Sequence, residues 1–433
     1  MNSLWSGETK LHAFPHLNGD IKTDVLVIGG GICGLLCGYM LSQQGIDCII
    51  VEANKIGGGT TAGTTAKITF QHGLIYNDIE KRYGMEKAQM YLAANIEAFD
   101  KYKLLCENID CDYTTSDSYV YSSSSRQKIE DEILTLEKLG YDPYFTKELE
   151  IPLTVEGAVQ FKNQAHFHPL KFISYISKNL RIFENTPVVS WNGTHFCTSA
   201  GKIKAEQAII ATHFPFLNKH GGYPLKMYQH RSYVTALDKA QKIKHMYVDA
   251  SGNGLSFRPY KDKILLGGGG HRTGKNGGGY RVLDHFADIH YPNASKTARW
   301  ATQDCMTLDG IPYIGQYSKT LPNIYVATGF NKWGMTSSMV SAIMLTEIIR
   351  GRTPDYAEVF SPSRSILHPQ LFTNSFESAL NFLRLTGPRC PHLGCSLRWN
   401  RYEHSWDCPC HGSRFSSVGE LIDGPATGDI NIK

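Results

Sequence analysis

The chain lacks any run close to the ~18 consecutive apolar residues of a membrane-crossing helix, so no bilayer span is expected. Long lysine or arginine tracts are absent too. Its 44 basic and 40 acidic side chains leave a net charge of +4 spread along the sequence, which gives nucleic acid no electrostatic footprint. The first twenty residues, MNSLWSGETKLHAFPHLNGD, have neither the basic start nor the apolar core of a secretory signal. A cytoplasmic protein is therefore expected. Cysteine is too sparse for a secreted disulfide scaffold, with eleven in 433 residues. The sequons at Asn192 and Asn293 then count as chance matches. What the chain does hold is 42% hydrophobic residues and 19% charged ones, enough for a large core divided over two or three domains.

A nucleotide signal lies near the start. DVLVIGGG at 24–31 reads as a buried strand entering Gly29-x-Gly31-x-x-Gly34. A helix follows to about Ser42, with Ile32, Leu35, Leu36 and Tyr39 on its buried face. A second strand, CIIVEA, carries Glu52. In this β-α-β unit Gly29 makes the turn, Gly31 lets the backbone approach a pyrophosphate, and Gly34 lets helix and strand pack; Glu52 would accept from ribose hydroxyls. The helix N-terminus favours the phosphate charge. Cys33 and Cys37, one helical turn apart, read as packing residues. The fingerprint alone does not separate FAD from NAD.

Later stretches point to FAD. GGGTTAGTTAK at 57–67 resembles the second glycine-rich segment of the FAD-dependent glycine/sarcosine oxidase-like (D-amino-acid oxidase) family; its plain alternative is a flexible turn. NTPVVSW at 185–191 resembles the family strand that holds adenine through the backbone of Val188 or Val189, and AEQAIIATH at 205–213 the strand that returns to the cofactor. MTLDGIPYIG at 306–315 precedes NIYVATGFNKWGMTSS at 323–338, where a strand enters Gly329 and a helix begins near Thr336. Amides of Gly334, Met335 and Thr336, with the helix dipole, would face an anion. The resemblance spans roughly residues 20–350. It implies non-covalent FAD held by Gly29, Gly31, Gly34, Glu52, Thr61, Thr64, Thr65, Lys67, Val188, Gly329, Gly334, Met335 and Thr336. Cys305 is offset from the place where some relatives attach flavin covalently.

The intervening segments form the substrate layer. Residues 78–141 read mainly helical and 225–270 as strands. Candidate catalytic residues sit where those strands end: Arg258, beside Tyr260, and His271 and Arg272 after GGGG. Related enzymes clamp a substrate carboxylate with arginine, a role open to Arg258 or Arg272, while His271 is a candidate base. A structural arginine and a hydrogen-bonded loop histidine are the plain alternatives. DHFADIH at 284–290 offers two histidines and two aspartates, but a solvated helix accounts for it better than a non-haem iron site.

Near the end, CPHLGC (390–395) and CPCH (408–411) flank a twelve-residue spacer. Each arm supplies one cysteine and one histidine: Cys390 and His392, then Cys408 and His411. Two thiolates and two imidazoles suit a Rieske [2Fe-2S] centre. Structural zinc takes the same set, although zinc-finger spacing puts both cysteines in one arm and both histidines in the other. The stretch resembles the Rieske pattern C-x-H-x-G-C … C-x-C-H-G-S residue for residue. That resemblance implies the four as iron ligands, a Cys395–Cys410 disulfide, a Ser413 hydrogen bond to a bridging sulfide, and Gly424-Pro425 covering the cluster. Phe415 stands where many high-potential members have tyrosine, so a low-to-middle potential is expected.

The expected fold is α/β: a Rossmann-like FAD-binding domain with an interleaved α+β substrate domain, plus a small all-β Rieske lobe. The FAD-dependent oxidoreductase would occupy 20–355, with nucleotide-binding segments at about 20–77, 150–224 and 300–355 and substrate-layer segments at about 78–149 and 225–299. A linker and short helix would fill 356–385, and the lobe 386–433. The lobe is short for its family, so its support must come from the body. The two resemblances together imply a dehydrogenase. It would oxidise a small amine, amino acid or hydroxy compound and pass electrons singly through the cluster. An exposed edge of His392 or His411 would hand them to a one-electron partner protein. Reverse flow, a carrier with no small-molecule site of its own, and a zinc-stabilised flavoprotein are the alternatives.

Overall fold

A computed structural model describes residues 3–218, 220–252, 254–384 and 386–432. The expected boundary residues 385 and 433 lie outside these. The first sheet is built on the strand Ile21–Ile28, whose last four residues are all buried. It pairs in parallel with Cys48–Val51 on one side and Gly201–Ile210 on the other. Leu321–Thr328 continues the parallel order, Tyr313–Ser318 closes that edge antiparallel, and Ile182–Phe183 forms the opposite edge. Strands buried on both faces need apolar runs rather than alternation, which is how VLVI, CIIV and AII read.

The helix Ile32–Gln43 leaves the first strand through Gly29, whose φ of +112° and close approach to the Ala211 carbonyl exclude a side chain. It packs against Gly334–Ile349, a helix buried on every side from Met335 to Thr346. These two helices cover one face of the first sheet.

A second, nine-stranded sheet lies across the body. Its order runs Ser295–Thr307, Met227–Asp238, Lys263–Arg272, Ser256–Tyr260, Met246–Asp249, Thr114–Ser122, Gly157–His166 and Lys67–Ile68, with Tyr144–Thr146 added beside Gly157–His166. Three expectations shift here. Gly157–His166, placed by sequence in a nucleotide-binding segment, pairs along Thr114–Ser122 in this sheet. Ser295–Thr307 pairs along its whole length with Met227–Asp238, so the substrate layer runs past residue 299. Thr114–Ser122 also interrupts the stretch read as helical, because its β-branched and aromatic residues suit a pleated surface.

The third sheet is a four-stranded antiparallel meander of Arg398–Asn400, Ser405–Asp407, Arg414–Ser416 and Leu421–Asp423. Its core is small: four cysteines with Leu397, Phe415, Ala426 and Ile430. The lobe docks against the second sheet through a network of buried charges. Glu403 accepts from Arg231 Nε at 3.1 Å, Tyr233 Oη at 3.0 Å and Arg414 Nη2 at 2.9 Å. Arg414 Nε also donates to Asp407 at 3.0 Å. Gln303 Nε2 donates to the Gly412 carbonyl at 2.9 Å. The helix Pro369–Leu383 leads into the lobe.

Candidate functional site

Between the first two sheets lies a cavity of about 1510 Å³. Gly29, Gly31, Glu52, Thr61, Thr64, Thr65, Lys67, Val188, Gly329, Gly334 and Met335 all line it. Their placement follows from local chemistry. Thr61 Oγ1 accepts from the Ile32 amide at 3.0 Å and so pins the second glycine-rich segment to the start of the first helix. Glu52 accepts from the Gly30 and Asn54 amides at 2.7 and 2.8 Å. Burial pushes its carboxyl up. Lys67 donates to Thr65 Oγ1 at 3.1 Å. Burial, aided by the Arg258 charge, pushes its ammonium down to about 7.

Two expected cofactor residues stand behind the wall. A side chain on Gly34 would lie 1.9 Å from the Gly29 carbonyl oxygen, so its part is to let helix and strand approach. Thr336 Oγ1 donates to the Thr69 carbonyl at 2.6 Å and fastens the long buried helix to the second sheet.

None of the three expected catalytic residues lines the cavity. Arg258 is fully buried, donates to the Phe167 carbonyl at 2.8 Å, and lies over the rings of Trp5 and Tyr260. His271 bonds Tyr233 Oη and the Arg272 carbonyl, both at 2.9 Å. Arg272 donates to Asn374 Oδ1 at 2.8 Å and to the Pro409 carbonyl at 3.3 Å. The first is a core arginine; the other two are part of the lobe's docking. The reason is long-range packing: Arg258 closes over Trp5, while the lobe and the helix leading into it, distant in sequence, take up Arg272, and Tyr233 takes up His271.

The cavity's roof comes instead from Tyr228, His230, Ser232, Thr302, Asp304 and Met306, alternate residues of two paired strands. Ser232 Oγ donates to Asp304 Oδ2 at 2.8 Å. Burial pushes the Asp304 carboxyl up. Lys332, also on the wall, donates to the Gly252 carbonyl at 2.5 Å. The sequence signal for Asp304 was weak, because its pairing with His230 joins residues 74 apart in the chain. His285 and His290 are exposed on a surface helix whose Asp284 and Asp288 pair with Lys296, as a solvated helix should.

In the lobe, Cys390 and Cys408 are buried and hydrogen-bonded to each other. The His392 and His411 rings stand 5.0 Å apart, and both Nδ1 atoms are buried without a partner. Burial pushes His392 down to about 4 and His411 down to about 3, which keeps both imidazoles in the neutral, metal-ligating form. Two thiols and two orphaned Nδ1 atoms fit the donor set of a Rieske cluster. Cys395, Cys408 and Cys410 also lie within 4.8 Å of one another, but Cys395 and Cys410 form the disulfide and are not free to ligate. Ser413 Oγ accepts from the Ala426 amide at 3.0 Å, which holds Gly424-Pro425 over the ligand loops.

An exposed edge was expected on His392 or His411; His411 is buried, whereas His392 is half-buried. His392 Nε2 donates to Asn218 Oδ1 at 2.7 Å, and the His411 ring bonds the Pro224 carbonyl. Phe214 packs 6.1 Å from each ring. Phe214 lines the cavity, as does the lobe segment 421–429. One aromatic side chain therefore touches both the cavity and the two histidines.

A model of the FAD dependent oxidoreductase family matches residues 24–348, and one of the Rieske [2Fe-2S] domain matches 378–432. The chain belongs to the FAD-dependent oxidoreductases, with a C-terminal Rieske domain. This oxidoreductase is 35% identical to the Rieske 2Fe-2S iron-sulfur protein YhfW of Bacillus subtilis (strain 168), over 98% of this chain and 96% of that one. It is 25% identical to gamma-glutamylputrescine oxidoreductase of Escherichia coli (strain K12), over 79% and 87%. Its fold is similar to that of L-proline dehydrogenase from P. horikoshii (TM-score 0.67, 18% identity, 81% of this chain and 98% of that one). Glycine oxidase from Geobacillus kaustophilus is also similar (TM-score 0.64, 18% identity, 79% and 99%). The oxidoreductase is thus an FAD enzyme with a [2Fe-2S] centre, and no described helix is long and apolar enough to cross a membrane.

Proposed function

We propose that this oxidoreductase is a cytoplasmic dehydrogenase that oxidises a small-molecule substrate under the cavity roof and passes the electrons singly through its cluster to a one-electron partner protein. Bound FAD supplies a two-electron acceptor and the [2Fe-2S] cluster a one-electron carrier. The cavity residues from Gly29 to Met335 named above would hold the flavin, and Cys390, His392, Cys408 and His411 the cluster. The single observation that carries the reading is the contact of Phe214 with both histidine rings on one side and with the cavity on the other. The relatives' names support a substrate oxidised next to nitrogen.

A carrier without its own substrate would not need the polar roof of Ser232, Thr302 and Asp304 over the flavin groove. The test is low-temperature EPR of the purified protein reduced anaerobically by candidate amines, amino acids and hydroxy acids, with iron and zinc counted on the same sample. Two irons per chain and a reduced-cluster signal after substrate addition are expected. One zinc, or a cluster that stays oxidised while the flavin bleaches, would sink the proposal.

A further inference from the structure

We propose that Asp304 is the recognition residue for a substrate ammonium group, so that the substrate is an amine held by its positive charge rather than an amino acid clamped by its carboxylate. The inference rests on reading the cavity as the substrate site. Asp304 stands on the roof between Thr302 and Met306, with Ser232 Oγ bound to one carboxylate oxygen. No lysine, arginine or histidine forms an ion pair with it among the described residues. The basic side chains nearest it are otherwise engaged: Lys332 at the Gly252 carbonyl, Arg231 at Glu403, and His213 at Gln229 Oε1.

A carboxylate withdrawn from water without a paired cation is costly, and a cationic ligand relieves that cost. Trp333 adds an aromatic ring to the wall, a surface that also attracts an alkylammonium. The buried cations a substrate carboxylate would need are already engaged. No arginine lines the cavity among the described residues. Of the buried lysines on the wall, Lys67 donates to Thr65 and Lys332 to the Gly252 carbonyl, while Arg258 and Arg272 are held by groups outside it.

The test uses the full chain with both cofactors bound. First, tert-butylammonium, which has no hydrogen on the carbon bearing nitrogen and cannot be oxidised there, is titrated calorimetrically against the like-shaped anion pivalate. Binding of the cation and not the anion is expected. Asp304→Asn, which keeps the shape and the Ser232 contact, should weaken cation binding at least tenfold with flavin and iron content unchanged. Asp304→Glu should retain part of it. Second, flavin bleaching is followed with propylamine, putrescine, alanine, proline and lactate. Bleaching by the amines alone is expected. Pivalate binding, or bleaching by amino acids or lactate in place of amines, would overturn the assignment while leaving the dehydrogenase reading intact. Cation binding by Asp304→Asn equal to that of the parent protein would overturn it too. Bleaching by none of the five, with cation binding retained, would keep Asp304 as a cation site and overturn the dehydrogenase reading.

Discussion

The body and the lobe hold their cofactor sites by opposite means. The body cradles an extended groove with backbone: glycines, helix starts and strand ends, positioned by two large sheets and continuous apolar cores. The lobe grips a compact site with four side chains on two short loops, and its own apolar core has only eight buried residues. A core that small supplies little folding free energy, so the lobe draws on a disulfide, a metal cluster and charged docking to the body. The difference teaches that perturbing a ligand should empty one site and leave the other filled.

The largest effect should come from His411→Cys. It exchanges one of the two neutral imidazoles for a thiolate and removes the ring that bonds Pro224. The expected outcome is loss of the native reduced-cluster EPR signal with flavin content unchanged. Loss of both cofactors would show that the groove depends on the lobe.

Glu403→Gln comes next. It leaves Arg231 and Arg414 buried without their shared carboxylate. A loss of about 3 kcal/mol is expected, seen in urea as earlier bleaching of the cluster than release of the flavin. The pH dependence follows from the same network. Burial works to raise the Glu403 pKa, the Arg231 and Arg414 charges outweigh it, and the net value falls below the usual carboxylate range. The docking contribution is therefore present above the unfolded carboxylate pKa of about 4.3 and disappears as pH falls through the lower folded value. Cluster retention in the parent protein should drop on acidification below about pH 4, and Glu403→Gln should flatten that drop.

Replacing both Cys395 and Cys410 by serine removes a crosslink between residues 15 apart. About 2 kcal/mol of lobe stability should be lost, with the cluster still assembled but released at lower urea. The smallest effect serves as the contrast. Ser125 caps a body helix through the Lys128 amide at 3.4 Å. Ser125→Ala should cost about 1 kcal/mol, measured as a small fall in melting temperature with flavin and iron both retained.

What could be read from the sequence was local. The cluster loops and Gly29-x-Gly31-x-x-Gly34 are consecutive patterns, and each ligand or cradle residue lies within a few positions of the next. The residues that link the two halves are not local. Phe214 meets His392 and His411 across almost two hundred residues, and Asn218 meets His392 across 174. Asp304 reached the roof through strand register with Met227–Asp238. Arg258, His271 and Arg272 looked alike as polar residues at strand ends. Which face each occupies depends on pairing that spacing cannot specify. Phe415 is fully buried in the lobe core and offers no hydrogen bond to sulfur, so the expected low-to-middle potential stands as a further check by redox titration.

The central claim is that flavin and cluster exchange electrons within one chain across Phe214. The most direct measurement is flash photoreduction of the flavin in the holoprotein, followed by the rate of cluster reduction at several protein concentrations. A first-order rate independent of concentration, slowed at least tenfold in Phe214→Ala with both cofactors retained, is the predicted result. A rate that rises in proportion to protein concentration would mean that electrons cross between molecules, and would contradict the account.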